Sequence, residues 1–275
     1  MIANNDDTIT REDVSAQSVQ TADAEPNETI ARSAKLGTLY GVGVGPGDPE
    51  LMTLKAHRLI TQATTIAYFC KGQRPGHGRT VIAEYIPTTC REIRMAYPVT
   101  TEIPVHDPRY GALLSSFYDD YADQMSAILS AGEDVVVISE GDPFFYGSFM
   151  PIFHRLSGHF KTEVVPGIPA MAGAWAKAGA PITYGDDVLM VLPGTLPENE
   201  LRSRIASAEA FVIMKLGRHF EKVRSILSAT GHSERAIYVE RCTMTGERII
   251  PLKDADPECA PYFSMILVPG RGRLF

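Results

Sequence analysis

The stretch Tyr40 to Ile60, "YGVGVGPGDPELMTLKAHRLI", passes from an apolar run through a glycine-rich turn into a helix-like pattern. Strand, glycine turn and helix in that order open an α/β unit, which raises the question of what the turn holds. A dinucleotide fingerprint needs G-x-G-x-x-G, but counted from Gly41 the sixth position is Pro46, and counted from Gly43 it is Asp48. Neither register fits. Asp48 is expected to cap the following helix, with Pro49 at its first position and Glu50 behind it, and those two carboxylates would repel a pyrophosphate. Where a ribose-binding acid would close the second strand, the chain reads "IAYFCKG" (66–72), which holds no acid. Two readings stay open: a turn approached by a compact ligand without phosphate, or a plain tight strand-to-helix turn.

Outward from this stretch, apolar runs alternate with helical patterns. "TLYGVGV", "TTIAYF", "DVVVISEGDP" and "TEVVPGI" read as strands, and helices are expected near 50–62, 78–85, 110–131 and 145–157. Such alternation predicts an α/β domain with a mainly parallel sheet. In 110–131, Leu114, Phe117, Tyr121, Met125, Ile128 and Leu129 fall at helical spacing and read as core. After "AKAGAPITYGDD" a second alternation runs through "DVLMVLPG", "AFVIMKLG", a helix over 219–229, "AIYVERCTM" and "YFSMILVPG". The expected organisation is a leader over 1–36, an N-terminal α/β domain over 37–181 and a C-terminal α/β domain over 182–275. Four runs end in Pro-Gly ("GVGPG", "VVPGI", "VLPGT", "LVPG"), which stops a strand and turns the chain, so a ligand held between the two domains is expected at these turns.

Composition bounds the function. The chain has 275 residues, 44% of them hydrophobic, and a formal charge of -7 that argues against a general nucleic-acid binder. Residues 1–36 carry -4 of that charge, with little bulky apolar content, and are expected to stay disordered. Cys70, Cys90, Cys242 and Cys259 are scattered without C-x-x-C spacing, so neither a zinc site nor a disulfide framework is suggested. No apolar run approaches a membrane span, and the first residues lack the pattern of a signal peptide, so a soluble, cytoplasmic protein is the expectation.

A second signal is "VVVISEGDPFFYGSFM" (135–150), in which a buried strand runs into Glu140-Gly141-Asp142-Pro143 and then Phe144, Phe145 and Tyr146. Glycine there lets a ligand lie on the backbone, and the aromatics can cover an apolar or cationic group. Taken together, "GVGPGD" (43–48), "EGDPFFYG" (140–147) and "VVPGI" (164–168), in that order, resemble the tetrapyrrole (precorrin and cobalt-precorrin) methyltransferases over roughly residues 37–270. The phrases "YFCKGQRPGHGRTV", "VLPGT", "VIMKLGR", "YVERCTM" and "APYFSMILVPG" are similar to the branch that methylates a meso carbon.

The resemblance implies two α/β domains of the tetrapyrrole methylase type with the ligand cleft between them, in a homodimer. It implies S-adenosyl-L-methionine as methyl donor, a reduced tetrapyrrole as substrate, and no metal, nucleic-acid or membrane partner. Carried over by motif, the donor's contacts are Pro46, Glu140, Gly141, Asp142, Phe145, Tyr146, Pro169, Ala170, Met214 and Cys242. Pro169 departs from the Thr or Ser common in the family, so a hydroxyl contact is lost there. Relatives that place "YDRL" after the second strand take their base from it; this chain has "YFCKG", and no catalytic residue is assigned. Tyr146, Glu140 and Tyr97 are considered as proton acceptors. The substrate's carboxylates need a basic lining, for which Lys71, Arg74 and Arg79 in the loop after the second strand are expected, with Lys215, Arg218 and Arg241 as alternatives.

Overall fold

A computed structural model describes residues 35–100, 102–103, 107–256 and 260–272. Of the expected leader, residues 1–34 lie outside the described residues.

The first sheet contains β1 (Thr38–Gly43), β2 (Thr65–Lys71), β3 (Arg91–Tyr97), β4 (Val135–Ser139) and β5 (Lys161–Val165), all parallel, in the order β3-β2-β4-β1-β5. Successive side chains of a strand face opposite sides, and β4 buries both: Val135 and Val137 join the layer formed with α3 (Pro108–Ser130) and α4 (Met150–Leu156), while Val136 and Ile138 join the layer of α1 (Leu54–Thr61) and α2 (His77–Val81). That double burial explains an unbroken apolar run. In α3, Phe117, Met125, Ile128 and Leu129 are buried, with Leu114 and Tyr121 packed partly buried against them. Asp107 caps this helix by accepting from the Arg109 N–H at 2.9 Å.

The start of α1 differs from the sequence expectation. Asp48 accepts from the Glu50 N–H at 2.9 Å, but it caps a single 3-10 turn, Pro49–Leu51. The α-helix begins at Leu54, where the Thr53 hydroxyl accepts from the Ala56 N–H at 3.2 Å. Two caps in six residues split one expected helix into two.

The second sheet contains β6 (Leu189–Pro193), β7 (Ala210–Met214), β8 (Ile237–Glu240), β9 (Arg248–Pro251) and β10 (Ser264–Val268), in the order β6-β7-β10-β8-β9. Here β6 and β7 are parallel, while β10 runs antiparallel to both β7 and β8, and β9 is antiparallel to β8. One face packs on α6 (Glu198–Ile205) and α7 (Phe220–Ala229); the other packs on α5 (Ala170–Lys177) through Ala174. Helix α5 precedes Pro181, so its core partners belong to the sheet that follows it. The reversal of β10 also relocates one Pro-Gly turn. Because Val268 pairs with Phe211 near the start of β7, the "LVPG" turn stands at the end of the sheet opposite Met214, and Gly270 donates to the Ile182 carbonyl at 2.9 Å.

Candidate active site

The strands β4, β1 and β5 are neighbours, so the loops from their carboxyl ends are forced together. Gly141 donates to the Gly45 carbonyl at 2.9 Å and accepts from the Gly45 N–H at 3.4 Å, making a short antiparallel bridge. A Cβ on Gly167 would stand 2.0 Å from the Gly141 carbonyl oxygen, and one on Gly43 would stand 2.5 Å from the same atom. Only glycine allows these backbones to approach so closely. Asp142 ties the cluster further, since Oδ1 accepts from the Phe144 N–H at 2.9 Å and Oδ2 from the Gly167 N–H at 3.1 Å. Its carboxylate braces the loop.

Facing this wall are three neighbouring strands of the second sheet. Met214 and Lys215 come from the end of β7, Val239, Cys242 and Met244 from β8 and the turn after it, and Tyr262, Phe263, Ser264 and Met265 from the start of β10. The two walls enclose one cavity. Four non-glycine residues have left-handed backbones among the described residues: Tyr146 (φ 54°) and Lys215 (57°) line the cavity, and Arg241 (44°) and Thr243 (62°) flank Cys242, which lines it too. Each costs on the order of 1 to 3 kcal/mol, a strain typical of ligand sites. The Lys215 ammonium stands 4.4 Å from the centre of the Tyr146 ring, joining the two walls by a cation–π contact. A second link is the Thr243 hydroxyl, which accepts from the Asp48 N–H at 3.1 Å.

The cavity perturbs three of its titratable side chains, Glu140, Tyr262 and Cys242. Glu140 accepts from the Gly78 N–H at 3.1 Å, and burial pushes its carboxyl above the ordinary value, opposed by that bond and by His77. Its side chain is nonetheless exposed, because the protein that crowds it leaves one side open to the cavity; water there moderates the shift. Tyr262 behaves alike: its ring is 84% exposed, yet crowding and the nearby Glu140 raise its phenol. Burial, with Glu247 beside it, pushes the Cys242 thiol up to about 12. Such a thiol is neither a nucleophile nor a thiolate ligand at neutral pH.

All ten residues named for the donor, Pro46, Glu140, Gly141, Asp142, Phe145, Tyr146, Pro169, Ala170, Met214 and Cys242, line this one cavity. Tyr97 does not. It packs between Phe69 and Phe117, bonds Ser148 and Tyr118 through its hydroxyl, and burial raises its phenol further from proton-accepting range. The basic loop reaches the cavity by other atoms than its cations. Gly78 bonds Glu140, and the His77 ring lies edge-on to Phe263 at 4.3 Å. Lys71 pairs with Glu102 at 2.9 Å, Arg79 forks onto Glu92 with two bonds of 3.0 Å, and neither they nor Arg74 line the cavity.

Sequence reasoning did not find the β10 side of the cavity. The rule that ligands meet carboxyl ends of strands holds for parallel strands, whereas antiparallel β10 offers its amino end. The adjacent aromatics Tyr262 and Phe263, directly before an apolar strand, were the available signal. A separate concavity on the outer side of α3 and α4 is lined by Asp119, Asp123, Arg155 and His159; it holds an ion pair, Arg155 to Asp119 at 2.7 Å, and none of the glycine turns. Among the described residues no helix is long and apolar enough to cross a membrane.

The chain is similar to known proteins over most of its length. A precorrin-2 C(20)-methyltransferase from a Sinorhizobium species is 49% identical over 235 residues, covering 86% of this chain and 96% of that protein. A cobalt-precorrin-2 C(20)-methyltransferase from Salmonella typhimurium is 26% identical over 238 residues, covering 84% and 96%. The solved uroporphyrin-III C-methyltransferase of Thermus thermophilus, complexed with S-adenosylhomocysteine, shares the fold with a TM-score of 0.61 at 22% identity, over 85% of this chain and 92% of that one. The model of the tetrapyrrole (corrin/porphyrin) methylases matches residues 38–256, and the chain belongs to that family.

Proposed function

We propose that this protein methylates C20 of precorrin-2 to give precorrin-3A, with S-adenosyl-L-methionine as donor, in cobalamin biosynthesis. The observation that carries the reading is the convergence of ten motif residues, from separate stretches of chain, on one cavity between the two sheets.

The residues suit the donor. Glu140 and Asp142 supply negative charge for a sulfonium and an ammonium, Phe145, Met214 and Met265 supply apolar surface, and Gly141 leaves its backbone bare. No phosphate needs to be held, which is why Asp48 and Glu50 are tolerated beside the turn. When bound, the donor supplies an electrophilic methyl on sulfur. The chain then has to hold the meso carbon in line with that methyl and keep water away, so positioning supplies most of the rate. The substrate is enamine-like at the meso carbon, and one proton must leave it after the new carbon–carbon bond forms. Glu140, which lines the cavity, can receive it as a carboxylate; the Tyr146 hydroxyl lines the cavity too and can take it up only by passing its own proton on.

The 49% relative favours the metal-free substrate over the cobalt-loaded one. Purified protein with labelled donor and either precorrin-2 or its cobalt complex, read by label transfer and product mass, tests this. Transfer to precorrin-2 is expected; transfer only to the cobalt complex would reassign the substrate, and transfer to neither would leave a binding module. A homodimer in the cytoplasm, with domains over 37–181 and 182–275, belongs to the same proposal, and sedimentation equilibrium tests the dimer.

A further inference from the structure

The cavity is electrically lopsided. Glu140 and Asp142, its two carboxylates among the described residues, come from the loop after β4, and Lys215, at the end of β7, is the one Lys, Arg or His side chain among the described residues that lines it. A cationic donor suits the first wall. An acceptor that carries several carboxylates is repelled there and needs a cation on the other side.

Lys215 differs from two cations of the basic loop. Lys71 and Arg79 are matched by Glu102 and Glu92, whereas Lys215 has no ion-pair partner among the described residues. Its ammonium rests on the Tyr146 ring, which fixes its place without neutralising its charge. Both residues hold left-handed backbones, so the chain accepts strain on either wall at this contact.

We infer that Lys215 is the anion anchor of the acceptor, holding one peripheral carboxylate of the tetrapyrrole at the cavity while Tyr146 keeps the ammonium in place. The inference rests on the methyltransferase reading for its acceptor class, but binding alone can decide it.

Uroporphyrin III, a stable octacarboxylate, and S-adenosylhomocysteine serve as binding probes, and precorrin-2 serves for turnover. Lys215→Met is expected to weaken uroporphyrin III about tenfold and to raise KM for precorrin-2 by a similar factor, with kcat and S-adenosylhomocysteine affinity within about twofold of the wild type. Lys215→Arg should recover most of the loss. Lys215→Gly relaxes the backbone while removing the charge, so it should fold at least as well as the wild type and still bind uroporphyrin III as weakly as Lys215→Met. Raising salt from about 0.05 to 0.5 M should weaken the wild type more than Lys215→Met. Wild-type affinity and salt response in Lys215→Met, or no uroporphyrin III binding by the wild type, overturns the inference. A wild type that binds both probes but transfers no methyl to precorrin-2 or to its cobalt complex removes the methyltransferase reading instead, and the Lys215 assignment is then decided by the binding ratio.

Discussion

Around the cavity, the loops of the first sheet are closed by glycines that touch one another, whereas those of the second sheet are closed by side chains on backbones that glycine would adopt more easily. Gly43, Gly141 and Gly167 meet within a few ångströms, and Asp142 holds Gly167 with one backbone bond and its own loop at Phe144 with another. Opposite them, Lys215, Arg241 and Thr243 all have positive φ; on the glycine wall only Tyr146, among the described residues, is a side chain on such a backbone, and it rests against Lys215. The difference follows from what each wall presents. A wall that offers bare backbone needs residues without Cβ, and a wall that offers aimed side chains has to carry the strain of aiming them.

The comparison breaks first, and most visibly, at Gly167. Gly167→Ala sets a methyl against the Gly141 oxygen, and a loss of roughly 3 kcal/mol in urea denaturation is expected. Wild-type stability in this variant would mean that the glycine cluster is not tightly packed. Next comes Gly141→Val. Its Cβ would meet Pro169 at an ordinary 3.7 Å, so the protein should fold, at a strain of about 2 kcal/mol for a branched residue at φ 64°. The added methyls face the cavity, and calorimetric titration should show S-adenosylhomocysteine bound at least about tenfold more weakly. Unchanged affinity would take the second turn out of the donor site.

On the strained wall the sign reverses. Arg241→Gly should leave stability unchanged or raise it by up to about 1 kcal/mol, since φ 44° suits glycine, although the unfolded chain gains freedom. A clear loss would show that the arginine side chain holds the turn. The smallest effect concerns Glu140. Its folded carboxyl binds its proton more tightly than the unfolded one, so the native state holds more protons above the ordinary value of 4.5, and stability falls as pH rises through the interval up to the raised value. Glu140→Gln keeps an acceptor for the Gly78 N–H and should remove that part of the slope in denaturation curves taken across pH. An unchanged slope would locate the titration elsewhere.

Much of the first sheet was legible because burial on both faces writes an unbroken apolar run, as in "VVVIS". Its edge was not. In β3 the side chains of Arg91, Glu92 and Arg94 alternate with Ile93 and Met95, and the charges masked the strand. β9 is four residues long and begins and ends in Arg248 and Pro251. The direction of β10 leaves no trace in composition, since "SMILV" is buried on both faces either way, and so one cavity wall went unseen. At the site itself, glycine and acid motifs led to residues that do converge. The basic loop shows the limit: a cation is readable in sequence, but the acid that claims it, Glu92 or Glu102, lies at a distance only the fold fixes.

The bond from Asp48 to Thr243 spans 195 positions of the chain, and the added Cβ of Gly47 would strike Met244 from across the same gap. In the time order of synthesis this has a plain meaning. The first sheet has all its strands once Val165 is made, but its opening turn waits for the segment that follows β8. A contact so remote in sequence is costly to close early and forms among the last. The cavity therefore arises as a late event of folding, and a ligand that touches both walls selects chains that have finished.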